Sequence, residues 1–373
     1  MIFLDNASTT RPLDNVIDAM SFSMKNFYGN PSSFHKLGME SEKLIRNTKS
    51  KIFEILHCKS GEIYFTSGGT ESNNLAIFGS INPKSVKNIL SSSIEHASVY
   101  NCMKKLKNIG VKINYLSPIF ERSDLKLDDL ITQDIGFISI MHVNNELGLK
   151  FPLEEIAKIR KLKCPDAIFH VDAVQSFGKF DIDVEKLRID LLSISSHKIH
   201  GPKGLGCIYS SKRVKLNPIL FGGKQQSGIR PGTEPVELIN GFNTALNLCN
   251  INERYNYVKE LNLYTREKLS KIDGIVINSP LCSSPYILNI SVLGIKSETM
   301  LNYLSENDIF VSSSSACTGN VKSRVLTEMK FPDNIIDSAI RISFSIFNSK
   351  SDIDSLINHI ILAKKKLIIS KEI

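Results

Sequence analysis

Between about residues 60 and 210 the chain alternates short apolar runs with stretches of helical periodicity. The runs fall at residues 62–65, 88–90, 112–116, 136–141, 167–171, 191–194 and 206–209. Segments such as Pro152-Leu153-Glu154-Glu155-Ile156-Ala157-Lys158-Ile159, between the runs, carry their apolar positions at helical spacing. This alternation predicts an α/β layer built on a mostly parallel sheet. The runs are apolar nearly throughout rather than at every second position, which suits strands covered on both faces. Past about residue 250 the texture changes. A charge-rich helical stretch, 252–271, precedes shorter strand-like runs at 287–291 and 339–344, and predicts a second, smaller α+β domain. In open α/β sheets ligands sit beyond the carboxyl ends of the strands, so the polar residues that follow each run are the place to look for chemistry.

The length of 373 residues suits two domains rather than one small core. Apolar residues at 42% and charged residues at 23% are ordinary for a soluble globular protein. No run approaches the roughly 18 apolar residues of a membrane span. The first residues, Met1 to Asn6, lack a basic region followed by a long apolar stretch, which predicts no secretory signal and a cytoplasmic protein. The net charge of +8 is spread along the chain, with only Lys364-Lys365-Lys366 forming a run. A solvated helix face accounts for that run, so no direct nucleic-acid binding is expected, although attraction to an acidic protein or to tRNA stays open. The seven cysteines, Cys58, Cys102, Cys164, Cys207, Cys249, Cys282 and Cys317, are odd in number, widely spaced and without a C-x-x-C pair. That pattern argues against a disulfide framework and against a structural metal site.

Three segments carry candidate chemistry, and each has a plainer reading. Phe65 to Asn74 follows a strand and opens a helix; Gly68 and Gly69 would let the backbone approach a phosphate at the helix N-terminus, although Ser/Gly-rich turns of this kind are common. In His170-Val171-Asp172-Ala173-Val174-Gln175 the carboxylate of Asp172 ends a strand, where it either caps a helix or pairs with a protonated ring nitrogen. In Ser195-Ser196-His197-Lys198-Ile199-His200-Gly201-Pro202 a lysine follows a buried strand among small hydroxyl residues. Held in a partly dry pocket, such a lysine forms Schiff bases; otherwise it is a surface charge. A metal reading of His197 and His200 lacks an adjacent acidic partner, and no metal site is predicted. In order along the chain, the three segments offer the anchors that pyridoxal 5'-phosphate needs: a phosphate cradle, a ring-nitrogen carboxylate and a Schiff-base lysine.

Further motifs surround them: Leu4-Asp5-Asn6-Ala7-Ser8-Thr9-Thr10, Tyr28-Gly29-Asn30-Pro31-Ser32-Ser33, Glu95-His96, Met141-His142-Val143-Asn144-Asn145-Glu146-Leu147-Gly148, Ser315-Ala316-Cys317-Thr318 and Ile340-Arg341-Ile342-Ser343. On these residues, over nearly its whole length, the chain resembles the class V aminotransferase family, and within it the cysteine desulfurases of the IscS/NifS group. The resemblance implies the fold type I of pyridoxal-phosphate-dependent transferases. It assigns 13–251 to a large domain with a mostly parallel seven-stranded sheet, and 1–12 and 252–373 to a small α+β domain that carries the Cys317 loop. It implies that Lys198 holds the cofactor and moves protons at the substrate Cα, and that Asp172 pairs with the pyridine nitrogen. Gln175 would bond the ring hydroxyl, His96 would stack on the ring and act as an acid or base, and Gly69, Thr70, Ser195 and His197 would hold the phosphate. Thr233 would reach the phosphate of a neighbouring subunit, which implies a homodimer. Asn145, beside the cofactor, and Arg341 would bind the substrate carboxylate.

Cys317 sits among small and polar residues, Ser312 to Asn320, without apolar packing partners. The resemblance implies that its thiolate takes the sulfur of L-cysteine, leaving alanine and a persulfide that passes to an acceptor protein, either an iron–sulfur scaffold or a tRNA-thiolation enzyme. Alternative readings are a selenocysteine lyase or another class V enzyme, and a low-activity sulfur-relay subunit of a partner complex. The chain departs from the family pattern at several points. Lys224, Gln226 and Ser227 stand where the family usually has Gly, Glu and Arg, Ser196 stands for Gly, and Ser314 for a common Gly. The segment after Cys317 and the C-terminus are shorter than in IscS. The cofactor residues are all retained; the departures bear on loop reach, activity and partner.

Overall fold

The computed structural model describes residues 1–117, 127–313 and 322–369. Contacts divide the chain into two compact units. The smaller comprises Met1–Thr10, Val143–Lys150 and Asn252–Ile373, and the larger Arg11–His142 and Phe151–Ile251. Strand β1 (Ile2–Phe3) opens the smaller unit.

The larger unit runs through α1 (Asp14–Asn26), α2 (Lys36–Ile55), β2 (Glu62–Thr66), α3 (Gly69–Ser80), β3 (Asn88–Ser92), α4 (Ala97–Asn108) and β4 (Lys112–Leu116). It continues with α5 (Leu127–Leu130), β5 (Phe137–Met141), α6 (Leu153–Lys163), β6 (Ile168–Asp172), β7 (Leu191–Ser195), β8 (Gly206–Ser210) and α7 (Val236–Asn247). The seven apolar runs of the sequence are the seven strands of one sheet, in the order β2-β8-β7-β6-β5-β3-β4. Strands β3 to β7 pair in parallel, and β8 runs against both of its neighbours. Strand β2 therefore points the same way as β7, and the carboxyl ends of β2, β3, β5, β6 and β7 share one edge. Strands β3, β5, β7 and β8 are buried at every position, as their largely apolar runs predict, and the serines within them and Asn88 are buried too. Leu75, Ala76 and Ile77 of α3 and Val99, Met103 and Leu106 of α4 form one core cluster with Ile89, Phe137, Leu191 and Ile208 of the strands. Elsewhere in the unit α7 lies against α1 and α2, where Asn240 Nδ2 donates to Ser23 Oγ at 2.8 Å.

The smaller unit continues with α8 (Ile251–Leu269), β9 (Ile275–Ile277), β10 (Ile287–Val292), α9 (Ser297–Glu306), β11 (Ile309–Phe310) and β12 (Ser312–Ser313). It ends with α10 (Arg324–Glu328), α11 (Asp333–Asp337), β13 (Ala339–Ser343) and α12 (Lys350–Ile369). An antiparallel sheet of order β12-β13-β10-β9 lies beside a parallel β1-β11 pair. This division differs from the sequence expectation of 1–12 and 252–373 at residues 11–12 and at the segment Val143–Lys150. That segment follows a strand of the large sheet, yet Ser284 N donates to Gly148 O and Ser279 Oγ to Leu147 O, both at 2.8 Å. Gly148 has a φ of +72°, and a Cβ there would lie 3.2 Å from Ile287 Cβ, so glycine suits both the turn and the close approach. Among the described residues no helix is long and apolar enough to cross a membrane.

Candidate active site

The larger unit gathers its polar side chains at the shared carboxyl edge of its sheet. Strand β2 leads through Ser67 and Gly68 into α3, whose N-cap Gly68 contributes no side-chain cap, so the first N–H groups of the helix face outward without one. A Cβ on Gly69 would lie 2.6 Å from Val174 Cγ2 and 3.7 Å from Ser195 Cβ, which places the helix start against the ends of β6 and β7. Glu71 in the first turn accepts from Ser67 N at 2.7 Å and from Arg230 Nε at 2.9 Å. Burial would raise the Glu71 carboxyl, but the Arg230 and Ser67 bonds outweigh it and hold the group below its ordinary range. Thr70 and His96 line one cavity of about 410 Å³, together with Asn74, Phe78, Asn101 and Lys105.

Asp172 ends β6, 5% exposed, and both of its oxygens are engaged. Oδ1 accepts from Val174 N at 2.9 Å and Oδ2 from Asn73 Nδ2 at 2.8 Å. Asn73 donates its other N–H to Ser98 Oγ at 2.8 Å. His96 is the N-cap of α4, where Ser98 N and Ser98 Oγ both lie on its Nδ1, at 3.2 and 2.8 Å. A backbone N–H can only donate, so Nδ1 is an acceptor and the neutral ring carries its proton on Nε2. Asn73 thus joins the capping histidine of one helix to the carboxylate of one strand. Neither Asn73 nor Ser98 stands out in the sequence. The available signal was spacing, since Asn73 lies three and four residues beyond Thr70 and Gly69 and so shares their helix face.

Ser195 ends β7, and its buried Oγ has no hydrogen-bond partner among the described residues. A short 3-10 turn, Ser196–Lys198, follows. Lys198 closes that turn, half-buried. Burial first, then the charges of Lys198, Lys203 and Lys179, push the His197 imidazole down to about 4, so it is neutral at pH 7. Gln175 is buried and accepts from Lys179 Nζ at 3.4 Å. His200 takes a positive φ of 70° and donates from Nδ1 to Arg11 O at 2.9 Å. Among the described residues no cluster of three or more His, Cys, Asp or Glu side chains could hold a metal ion. Thr233 is exposed in the turn ahead of α7, at the end of a loop that Arg230 ties to Glu71.

The ranges of the smaller unit include the other three predicted residues, Asn145, Cys317 and Arg341. Arg341, in β13 and 6% exposed, donates from Nη1 to Asn145 O at 2.8 Å, and from Nη2 to Asp5 Oδ1 at 2.7 Å and Ser8 Oγ at 2.6 Å. Its buried Nε has no partner among the described residues. Asn145 is thus met through its carbonyl. Cys317 lies outside the described residues.

A family model described as Aminotransferase class-V matches residues 2–356. The chain belongs to the class-V aminotransferase family. A relative named cysteine desulfurase IscS, from Dictyoglomus turgidum, is 37% identical over 364 residues, covering 95% of this chain and 92% of its own. Among solved structures, a NifS-like protein shares 33% identity at a TM-score of 0.89, over 97% of this chain and 99% of that one. The structure of SspA in complex with cysteine shares 30% identity at a TM-score of 0.80, over 94% of this chain and 100% of that one. The donor set of this class-V aminotransferase fits pyridoxal 5'-phosphate, the cofactor of its family. The uncapped helix start and the unpartnered buried Ser195 Oγ suit a phosphate, and the buried, doubly bonded Asp172 carboxylate suits a protonated ring nitrogen.

Proposed function

We propose that this chain is a pyridoxal-phosphate-dependent cysteine desulfurase, converting L-cysteine and a thiol to L-alanine and a persulfide. The observation that carries the reading is the common placement of three anchors. The uncapped start of α3, Asp172 and Lys198 follow β2, β6 and β7 at the same edge of one sheet. The cofactor supplies an electron sink for the bonds broken at the substrate's α and β carbons. Gly69, Thr70, Ser195 and His197 would hold its phosphate, Asp172 would keep its ring nitrogen protonated, and Gln175 would bond its ring hydroxyl. His96, fixed as the Nε2–H tautomer, would stack on the ring and exchange a proton there. Lys198 would hold the aldehyde carbon and afterwards move the proton at the substrate Cα.

Asn145 and Arg341 would receive the substrate carboxylate, for which the unpartnered Nε of Arg341 is a ready donor. Cys317 Sγ would take the substrate sulfur: the carbon–sulfur bond breaks, a sulfur–sulfur bond forms, and alanine leaves. An acceptor protein, an iron–sulfur scaffold or a thiolation enzyme, would then relieve Cys317 of that sulfur. A homodimer, with Thr233 reaching the neighbouring subunit, is supported by the exposed apolar side chains Phe22, Met24, Tyr28, Phe34, Met39 and Phe221 of the larger unit. The six described cysteines are all free, which supports the reducing cytoplasm as the compartment.

The test is to supply the cofactor-loaded chain with L-cysteine and a reducing thiol and to count alanine and sulfide. Equal amounts of the two are expected, with both lost in Cys317→Ala. Full turnover by Cys317→Ala would refute the persulfide role. Cofactor absorbance without alanine from the wild-type chain would refute the desulfurase reading.

A further inference from the structure

Strand β2 is the outer strand of the large sheet, and its residue Phe65 turns both backbone groups away from β8. The side-chain amide of Gln226 takes both. Phe65 N donates to Gln226 Oε1 at 2.6 Å, and Gln226 Nε2 donates to Phe65 O at 2.9 Å. One amide thus plays the part of a neighbouring strand at a single residue. The next residues, Thr66 to Gly69, lead from the end of that strand through Ser67 and Gly68 into the start of α3. Four residues after Gln226, Arg230 holds Glu71 in the first turn of the same helix. A single loop therefore grips the phosphate cradle on both sides, at the strand that enters it and at the helix that leaves it. Gln226 and Ser227 adopt positive φ values of 47° and 59°, a costly backbone for non-glycine residues. These are two of the positions where the chain departs from its family's pattern. Glutamate, usual in the family at position 226, would accept from Phe65 N but, when ionised, would set a carboxylate oxygen against Phe65 O.

We infer that Gln226 is a positioning residue for the phosphate end of the cofactor, acting through Phe65 on the turn that leads to Gly69 and Thr70. The inference rests on the cofactor reading above and adds a residue to it. The pair of hydrogen bonds predicts an effect of about tenfold on phosphate-dependent retention.

The experiment compares the full-length wild type, Gln226→Ala and Gln226→Glu, each loaded either with pyridoxal 5'-phosphate or with pyridoxal, which lacks the phosphate. The rate of cofactor loss and the hydrogen exchange of the Phe65 amide are followed. Gln226→Ala should release pyridoxal 5'-phosphate about tenfold faster and release pyridoxal at the wild-type rate, with the Phe65 amide exchanging faster. Gln226→Glu should keep the Phe65 amide protected yet release pyridoxal 5'-phosphate faster at pH 8. Its ratio to wild type should return toward one as the pH is lowered through the titration of the new carboxyl, because the protonated form can donate to Phe65 O. Equal acceleration for both cofactors, or no acceleration in either variant, would overturn the positioning role. A wild-type chain that takes up neither cofactor would instead overturn the cofactor reading.

Discussion

Asn73 Nδ2 donates to Asp172 Oδ2 at 2.8 Å. The carboxylate can only accept, so the asparagine must present its amide nitrogen, and that nitrogen also serves Ser98. Replacing Asn73 with alanine would leave a buried carboxylate oxygen short of a donor, a loss worth about 1–3 kcal/mol. The expected result for Asn73→Ala is a roughly 10- to 100-fold weaker affinity for pyridoxal 5'-phosphate, measured by titration of the cofactor-free chain. Asn73→Asp should cost more, because a second carboxylate would then face Asp172.

Arg341 spends three donor contacts within its own unit, on Asn145, Asp5 and Ser8. Lysine could reach some of these acceptors but offers no planar fork and no Nε–H for a further carboxylate. Arg341→Lys should raise KM for L-cysteine by about tenfold or more while cofactor loading stays at the wild-type level. Steady-state kinetics beside a cofactor titration reads both. A fall in cofactor affinity with KM unchanged would count against a carboxylate-binding role.

These two sites differ in how far the sequence announces them. The strands are legible because most are apolar along much of their length, and for β3, β5, β7 and β8 burial at every position is the reason, whereas the edge strands β2 and β4 are only partly buried. Asp172 is legible as a polar residue that ends such a run, and Lys198 as one that shortly follows another. The grouping of Val143–Lys150 with the smaller unit is not, because it is made by backbone acceptors, Leu147 O and Gly148 O, that any sequence would carry. Asn73 and Ser98 are hidden for a related reason. Each is a common polar residue in a helix, and only the crossing of α3 and α4 beside β6 turns them into a bridge. At Gln226 the sequence shows a departure from the family pattern, whereas the amide pairing with Phe65 depends on β2 being the outer strand.

The ion pair of Arg160 and Asp190 is buried, with side chains 2% and 3% exposed, and Nη2 to Oδ2 at 2.6 Å. Arg160 also donates to the carbonyls of Ala167 and Arg188, and Asp190 accepts from Phe169 N. Removing one partner strands the other charge in the interior, which costs about 3–5 kcal/mol. Asp190→Ala should therefore lower the denaturant midpoint strongly, and chemical unfolding of the full chain measures it. A double replacement of both residues by apolar groups should recover part of the loss, because the cost comes from the uncompensated charge rather than from the missing pair.

His170 gives the acid limb of stability a nameable source. It is fully buried in β6, stacks on Phe137, and lies 2.9 Å from Ser139 Oγ through Nδ1 and 3.0 Å from Ser193 Oγ through Nε2. Burial pushes its imidazole down to about 3, from an ordinary value of 6.5. Below pH 6.5 the unfolded chain takes up a proton at this position that the folded chain refuses, so acid favours unfolding until the folded group also titrates near pH 3. The stabilising contribution is fully present above pH 6.5 and falls by roughly 1.4 kcal/mol per pH unit below it. His170→Asn keeps a polar side chain for the two serines and removes the titration. The variant can be less stable than the wild type at pH 7, but the gap should narrow or reverse as the pH falls from 6.5 toward 4. Paired denaturant unfolding curves at each pH measure it, and a gap that stays constant across that range would show that His170 remains uncharged in the unfolded chain too, or charged in the folded one.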